Sequence, residues 1–182
     1  MLPVYHLLST VYLPEGDNLR VLGIDPGTAI TGYGIVEGEG DELTVLAYGV
    51  ITTPAHQPLA QRLQQIYRQL QALIAEWRPH SAAVEELFFS KNARTALAVG
   101  HARGVTLLAL TDAGLPIQEY KPAEVKQAVV GYGGAPKEQV QSMVQLLLGL
   151  REVPRPDDAA DALAIAICHL HSARWKLLAG QA

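Results

Sequence analysis

Three stretches early in the chain, "LRVLGID" (19–25), "GYGIVEG" (32–38) and "LTVLAYGVIT" (43–52), read as strands joined by short turns rich in glycine. Connections this short suit antiparallel neighbours, because parallel pairing needs a crossover of a dozen or more residues. The sequence therefore predicts a three-stranded antiparallel meander, on which the rest of the chain must pack.

The pattern then changes period. Leu59, Leu63, Ile66, Tyr67, Leu70, Leu73, Ile74 and Trp77 recur at steps of three and four, which predicts an amphipathic helix over 58–77, stopped by Pro79. "SAAVEELFF" reads as a buried strand, 93–111 as a largely apolar helix and "LPIQEY" as another strand, an alternation that predicts parallel pairing. Two further helices are expected, one over 136–148 with Val140, Met143, Val144 and Leu147 on one face, the other from 158 to about 175. The expected class is α/β, with a mixed sheet flanked by helices.

Length and composition narrow what such a fold does. At 182 residues, 49% apolar and 18% charged, the chain supports one domain with a proper core and is not disordered. A single cysteine, Cys168, excludes an intramolecular disulfide and a thiolate zinc cage; it reads as a small core residue of a protein in a reducing compartment, here the cytoplasm. Residues 1–18 lack the basic start and cleavage site of a signal peptide, and Pro3, His6 and Pro14 interrupt their apolar run. They are expected to be a flexible extension before a domain over 19–175 and a short tail over 176–182, with no membrane span. The net charge of −4 hides a basic middle: between 87 and 137, Lys91, Arg94, Arg103, Lys121, Lys126 and Lys137 face only Asp112, Glu119 and Glu124.

Four places hold acids in unusual settings. Asp25 ends the first strand, where open α/β sheets place their sites. An Asp before Pro-Gly is also an ordinary turn opener. Glu85 and Glu86 sit in an otherwise apolar strand, where alternation lets at most one share the side of Asp25. "PDDAAD" opens the last helix, with Asp157 a natural N-cap. Asp158 and Asp157 each share a face with Asp161, although acids at a helix start also simply complement its dipole. Taken together, converging carboxylates repel one another unless protonated or bridged by a divalent cation. An oxygen-only set favours Mg²⁺ or Mn²⁺ over zinc, and two such ions about 3.5–4 Å apart clamp both oxygens of an in-line phosphoryl displacement. His169 and His171, two apart on a helix, point away from each other and are expected to be structural.

The blocks "GIDPGTAITGYGIV", "AAVEELFFSKNARTALAVGHARG", "EYKPAEVKQAVVGYGGAPKEQVQSMV" and "PDDAADALAIAICHLH" together resemble, in order, the RuvC family of bacterial Holliday-junction resolvases. The resemblance implies a ribonuclease H-like fold with a five-stranded sheet. It places the metal-binding carboxylates on Asp25, Glu85, Asp158 and Asp161, choosing Glu85 over Glu86 and Asp158 over Asp157. The implied reaction is hydrolysis of a DNA phosphodiester with two Mg²⁺ or Mn²⁺ ions, leaving a 5′-phosphate and a 3′-hydroxyl. Lys126 and Lys137 match family lysines near the scissile phosphate, and Phe88 matches an aromatic that stacks on or wedges between bases. Phe89, Lys91, Asn92 and Arg94 are expected to add DNA contacts. Gly131, Gly133 and Gly134 would let a loop approach DNA, though a plain turn explains them equally well.

The resemblance further implies a homodimer that nicks a four-way DNA junction symmetrically, in recombination and repair, with RuvA and RuvB as partners. The helix around 95–110 would form the dimer interface, and its apolar character is equally compatible with burial inside one protomer. Other readings are a ribonuclease H-like nuclease acting on structured RNA, and a non-catalytic junction-binding module. An actin-like kinase would need a second repeat and an adenosine site, for which the chain has neither length nor motif.

Overall fold

The computed structural model describes residues 18–39, 41–86 and 93–180, with the backbone alone at 93–96 and 174–180. Phe88, Phe89, Lys91 and Asn92 lie outside the described residues, as does nearly all of the expected N-terminal extension.

β1 (Asn18–Asp25), β2 (Ile30–Glu39) and β3 (Glu42–Thr52) form the expected meander; α1 (Leu59–Trp77), β4 (Ser81–Glu85), α2 (Ala93–Asp112) and β5 (Ile117–Tyr120) follow. The sheet runs β3-β2-β1-β4-β5, antiparallel across β1–β2 and β2–β3 and parallel across β1–β4 and β4–β5. This is the mixed five-stranded arrangement expected from the sequence.

Three helices complete the chain, α3 (Pro122–Val130), α4 (Lys137–Leu147) and α5 (Asp157–Gly180). The sequence reading missed α3, though its signals are present. Pro122 takes the first helical position, the Glu124 side chain accepts the Lys121 backbone N–H at 2.7 Å, and Gly131 closes the helix with φ 76°. Nine residues proved too few for apolar periodicity to stand out. α5 runs past the expected end near Trp175 to Gly180, and it begins at Asp157, which is thus the first helical residue instead of the cap.

Strand register sorts the core into two layers. Leu22 and Ile24 of β1, Ile35 of β2, Ile51 of β3, and Ala82 and Val84 of β4 face α1 and α2, meeting Ile66, Leu70, Ala102 and Leu110. Leu19, Val21, Val36 and Ala83 face the other way, onto α3, α4 and α5. Alternation then puts Asp25 on the α5 side with Val21, and Glu85 on the same side with Ala83.

α5 lies against a nearly bare floor. A Cβ on Gly32 would stand 1.9 Å from the Asp158 carbonyl oxygen, one on Gly23 2.2 Å from the Ala162 carbonyl oxygen, and one on Gly34 2.7 Å from a Leu163 methyl. The helix therefore touches the strands backbone to backbone, and Ala162 to Leu170 are all buried. Enclosure by the sheet on one side and α3 and α4 on the other explains why "ALAIAI" is apolar all round.

Candidate active site

The close seat of α5 brings the ends of two strands and the start of a helix together. Asp25 is the last residue of β1 and pairs with Gly32, the glycine on which the Asp158 backbone rests. Glu85 is the last residue of β4, one step past the paired Ile24 and Val84, so it stands beside Asp25 at the same sheet end. Asp158 and Asp161 descend onto that end from the first turns of α5.

Electrostatics register the convergence. The Asp25 carboxyl is pushed up to about 7, first by burial and then by the negative charges of Glu85, Asp161 and Asp158, with Lys137 pulling back. Glu85 is raised by burial and by Asp161, against Lys137 and Lys126. Asp161 is raised by burial, although Lys137 Nζ donates to its Oδ2 at 2.8 Å. Burial works against the Lys137 ammonium, yet Asp161 and Asp157 hold its pKa above the usual lysine value. Four acids and two lysines thus share one electrostatic neighbourhood.

The neighbouring acids behave differently. Asp157 is held below the usual carboxylate range, first by the nearby Gln141 side-chain amide and then by Lys137 and Arg155, with which it forms ion pairs. Glu86 lies just beyond β4, where its backbone N–H donates to the Tyr120 carbonyl at 2.8 Å. Register thus separates it from Glu85 on physical grounds that alternation alone left open.

Among the described residues, no three acid, histidine or cysteine side chains already close on a single point as a metal cage. The donor chemistry nevertheless fits a hard divalent cation, since the partly buried acids offer oxygen alone and their negative charges raise the Asp25 and Glu85 carboxyls, an excess that such a cation relieves. Lys126, half-buried on α3, comes close enough to act on Glu85, and Lys137 opens α4. Arg94 lies in the first turn of α2.

His169 is accounted for elsewhere. Its Nε2 lies 3.0 Å from Ser81 Oγ and its Nδ1 2.9 Å from the Tyr120 hydroxyl, in a buried site that ties α5 to β4 and β5. His171 is exposed, with Nδ1 3.2 Å from the Ala128 carbonyl.

Sequence reading gave no role to the threonines around the Asp25 turn. Thr28, Thr31 and Thr53 are 7%, 0% and 6% exposed, so a buried hydroxyl beside a turn was the missed signal. No helix among the described residues is long and apolar enough to cross a membrane.

Comparison with known proteins adds a lineage to this geometry. Residues 21–169 match the family model described as crossover junction endodeoxyribonuclease RuvC. A relative of that description from Heliobacterium modesticaldum is 62% identical over 155 residues, 85% of this chain and 96% of the relative. The Thermus thermophilus RuvC structure superposes with a TM-score of 0.80 at 42% identity, covering 87% of this chain and 97% of that one. The same protein in complex with a Holliday junction substrate gives 0.83 at 40% identity, covering 87% and 96%. With a five-stranded mixed sheet of matching shape and a family match spanning the two strand ends and the helix start that carry the acids, this chain belongs to the RuvC family of crossover junction endodeoxyribonucleases.

Proposed function

We propose that this protein resolves four-way DNA junctions by paired symmetric nicks, in recombination and repair. The observation that carries the reading is the Asp25 carboxyl, raised to about 7 by burial and by three further acids converging on one sheet end. A buried acid in that company is costly unless a cation completes it.

Enzymes of this family depend on a divalent metal. Here Asp25, Glu85, Asp158 and Asp161 would hold Mg²⁺ or Mn²⁺, two ions per site. When bound, such ions activate water and stabilise the leaving oxygen in phosphodiester hydrolysis. The products would be a 5′-phosphate and a 3′-hydroxyl.

The remaining work falls to the chain's own groups. Lys137, already bonded to Asp161, offsets charge among the acids and would take the scissile phosphate, with Lys126 beside Glu85 doing the same from α3. Phe88 would wedge between or stack on bases, while Phe89, Lys91, Asn92 and Arg94 would hold the adjoining strand.

A two-fold junction calls for two sites. α2 supports a homodimer, since one side packs Ala102, Ala109 and Leu110 into the core and another leaves Leu97 and Leu108 at 64% and 53% exposed. RuvA and RuvB would deliver the junction in the cytoplasm.

The test is cleavage of a synthetic four-way junction with Mg²⁺ or Mn²⁺, beside linear duplex and structured RNA. Nicks placed symmetrically in two like strands of the junction are expected. Preferential cleavage of RNA, or tight junction binding without cleavage, would overturn the reading.

A further inference from the structure

The turn that carries Asp25 out of the sheet is held from three sides by uncharged groups. Thr31 closes it from within, donating its hydroxyl to the Gly27 carbonyl at 2.6 Å. Thr53, just past β3, donates its hydroxyl to the Thr28 carbonyl at 2.5 Å and its backbone N–H to the Ala29 carbonyl at 3.0 Å. The Thr28 hydroxyl in turn donates to the Ala98 carbonyl on α2. Behind them, Arg62 on α1 donates Nε–H to Thr53 Oγ1 at 2.8 Å.

The direction of these bonds matters. A guanidinium only donates, so Arg62 fills a lone pair of the Thr53 oxygen and leaves its single proton free to reach the Thr28 carbonyl. The cation also strengthens that second bond by polarising the hydroxyl. A turn supporting an acid among other acids needs such anchors. Repulsion from Glu85, Asp158 and Asp161 pushes Asp25 away, and a neutral hydroxyl resists the push without adding a charge that would compete for a cation.

We propose that Thr53 and Arg62, acting through the Thr28 carbonyl, are positioning residues that set the Asp25 turn against α2 and hold the acid toward Glu85 and Asp161. The inference rests on the nuclease reading above and deepens it. It also ties α1, α2 and β3, none of which carries one of the four acids, to the place of one of them.

The test uses the full chain, a synthetic four-way junction and three variants. Single-turnover cleavage with Mg²⁺ reads the chemistry, and junction affinity in EDTA by fluorescence anisotropy reads binding without metal. Thr53→Val, which keeps shape and loses the hydroxyl, is expected to slow cleavage by about 10- to 100-fold, the scale of a small misplacement at a reacting centre. Its metal-free junction affinity should match the wild type, and Thr53→Ser should restore the rate. Arg62→Met should slow cleavage less, also with affinity intact. Should Thr53→Val fail to fold in a melting curve, Arg62→Met against the serine variant decides. Variants that cut at the wild-type rate, or that lose affinity in step with rate, overturn the positioning role alone. A wild-type protein that leaves junctions intact overturns the nuclease reading along with it.

Discussion

The two layers beside the sheet are built on opposite plans. Toward α1 and α2 the strands present Leu22, Ile24, Ile35 and Val84, and the helices answer with Ile66, Leu70 and Leu110. Toward α5 the strands present Gly23, Gly32 and Gly34, and the helix comes down to backbone contact. The first layer is cushioned by side chains that can change rotamer; the second is not. Three of the four candidate acids owe their place to the uncushioned layer, Asp158 and Asp161 through α5 itself and Asp25 through its pairing with Gly32.

The sharpest way to break that contrast is to add one methyl to the uncushioned contact. Gly32→Ala puts a carbon where only 1.9 Å separates it from the Asp158 carbonyl oxygen, so α5 must lift. We expect a loss of about 3 kcal/mol or more in urea unfolding, at the upper end of overpacking costs, together with loss of junction cleavage. Asp25→Asn leaves the contact alone and removes the charge. It should abolish cleavage in a gel assay while junction binding persists, and wild-type cutting by this variant would refute the metal assignment. Lys126→Ala is expected to lower cleavage more than binding, measured by single-turnover rate against anisotropy; equal losses would make it a simple phosphate contact.

Smaller effects separate the layers further. Asp25 is raised from 3.8 to about 7 in the folded state, so the folded protein binds a proton the unfolded chain releases. Its contribution to stability is therefore fully present below about pH 4 and is lost as pH rises through about 7. Melting in EDTA should show this fall from about pH 4 to about pH 7, between the unfolded and folded values, and Asp25→Asn should flatten it. In the cushioned layer, Ile66→Val should cost only about 0.5–1.5 kcal/mol with cleavage unchanged.

Much of this plan was readable beforehand, and the exceptions share a cause. The meander, the parallel half and α1 followed from apolar periodicity, because burial and periodicity are the same fact seen twice. α3 was missed because its signals are two capping residues and a closing glycine, which act on single bonds. The acids could be located in the chain and their convergence expected, yet alternation alone did not choose between Glu85 and Glu86, since that depends on which side of each strand faces α5. Gly23, Gly32 and Gly34 fell inside the predicted strands, where nothing in the sequence marks them as the seat of a helix. Thr28 and Thr53 were invisible because they donate to backbone carbonyls, which leave no mark in a sequence, and Arg62 because its partner is the Thr53 hydroxyl, nine residues back and outside α1.

The histidine lodged between Ser81 and Tyr120 gives α5 a fixed phase as well as a fixed height. A helix is a screw, and sliding it by one residue moves it about 1.5 Å while turning it about 100°. His169 lies eight positions beyond Asp161, about 12 Å along that screw. A ring caught by two hydroxyls at the far end of the thread therefore decides which way two carboxylates point at the near end.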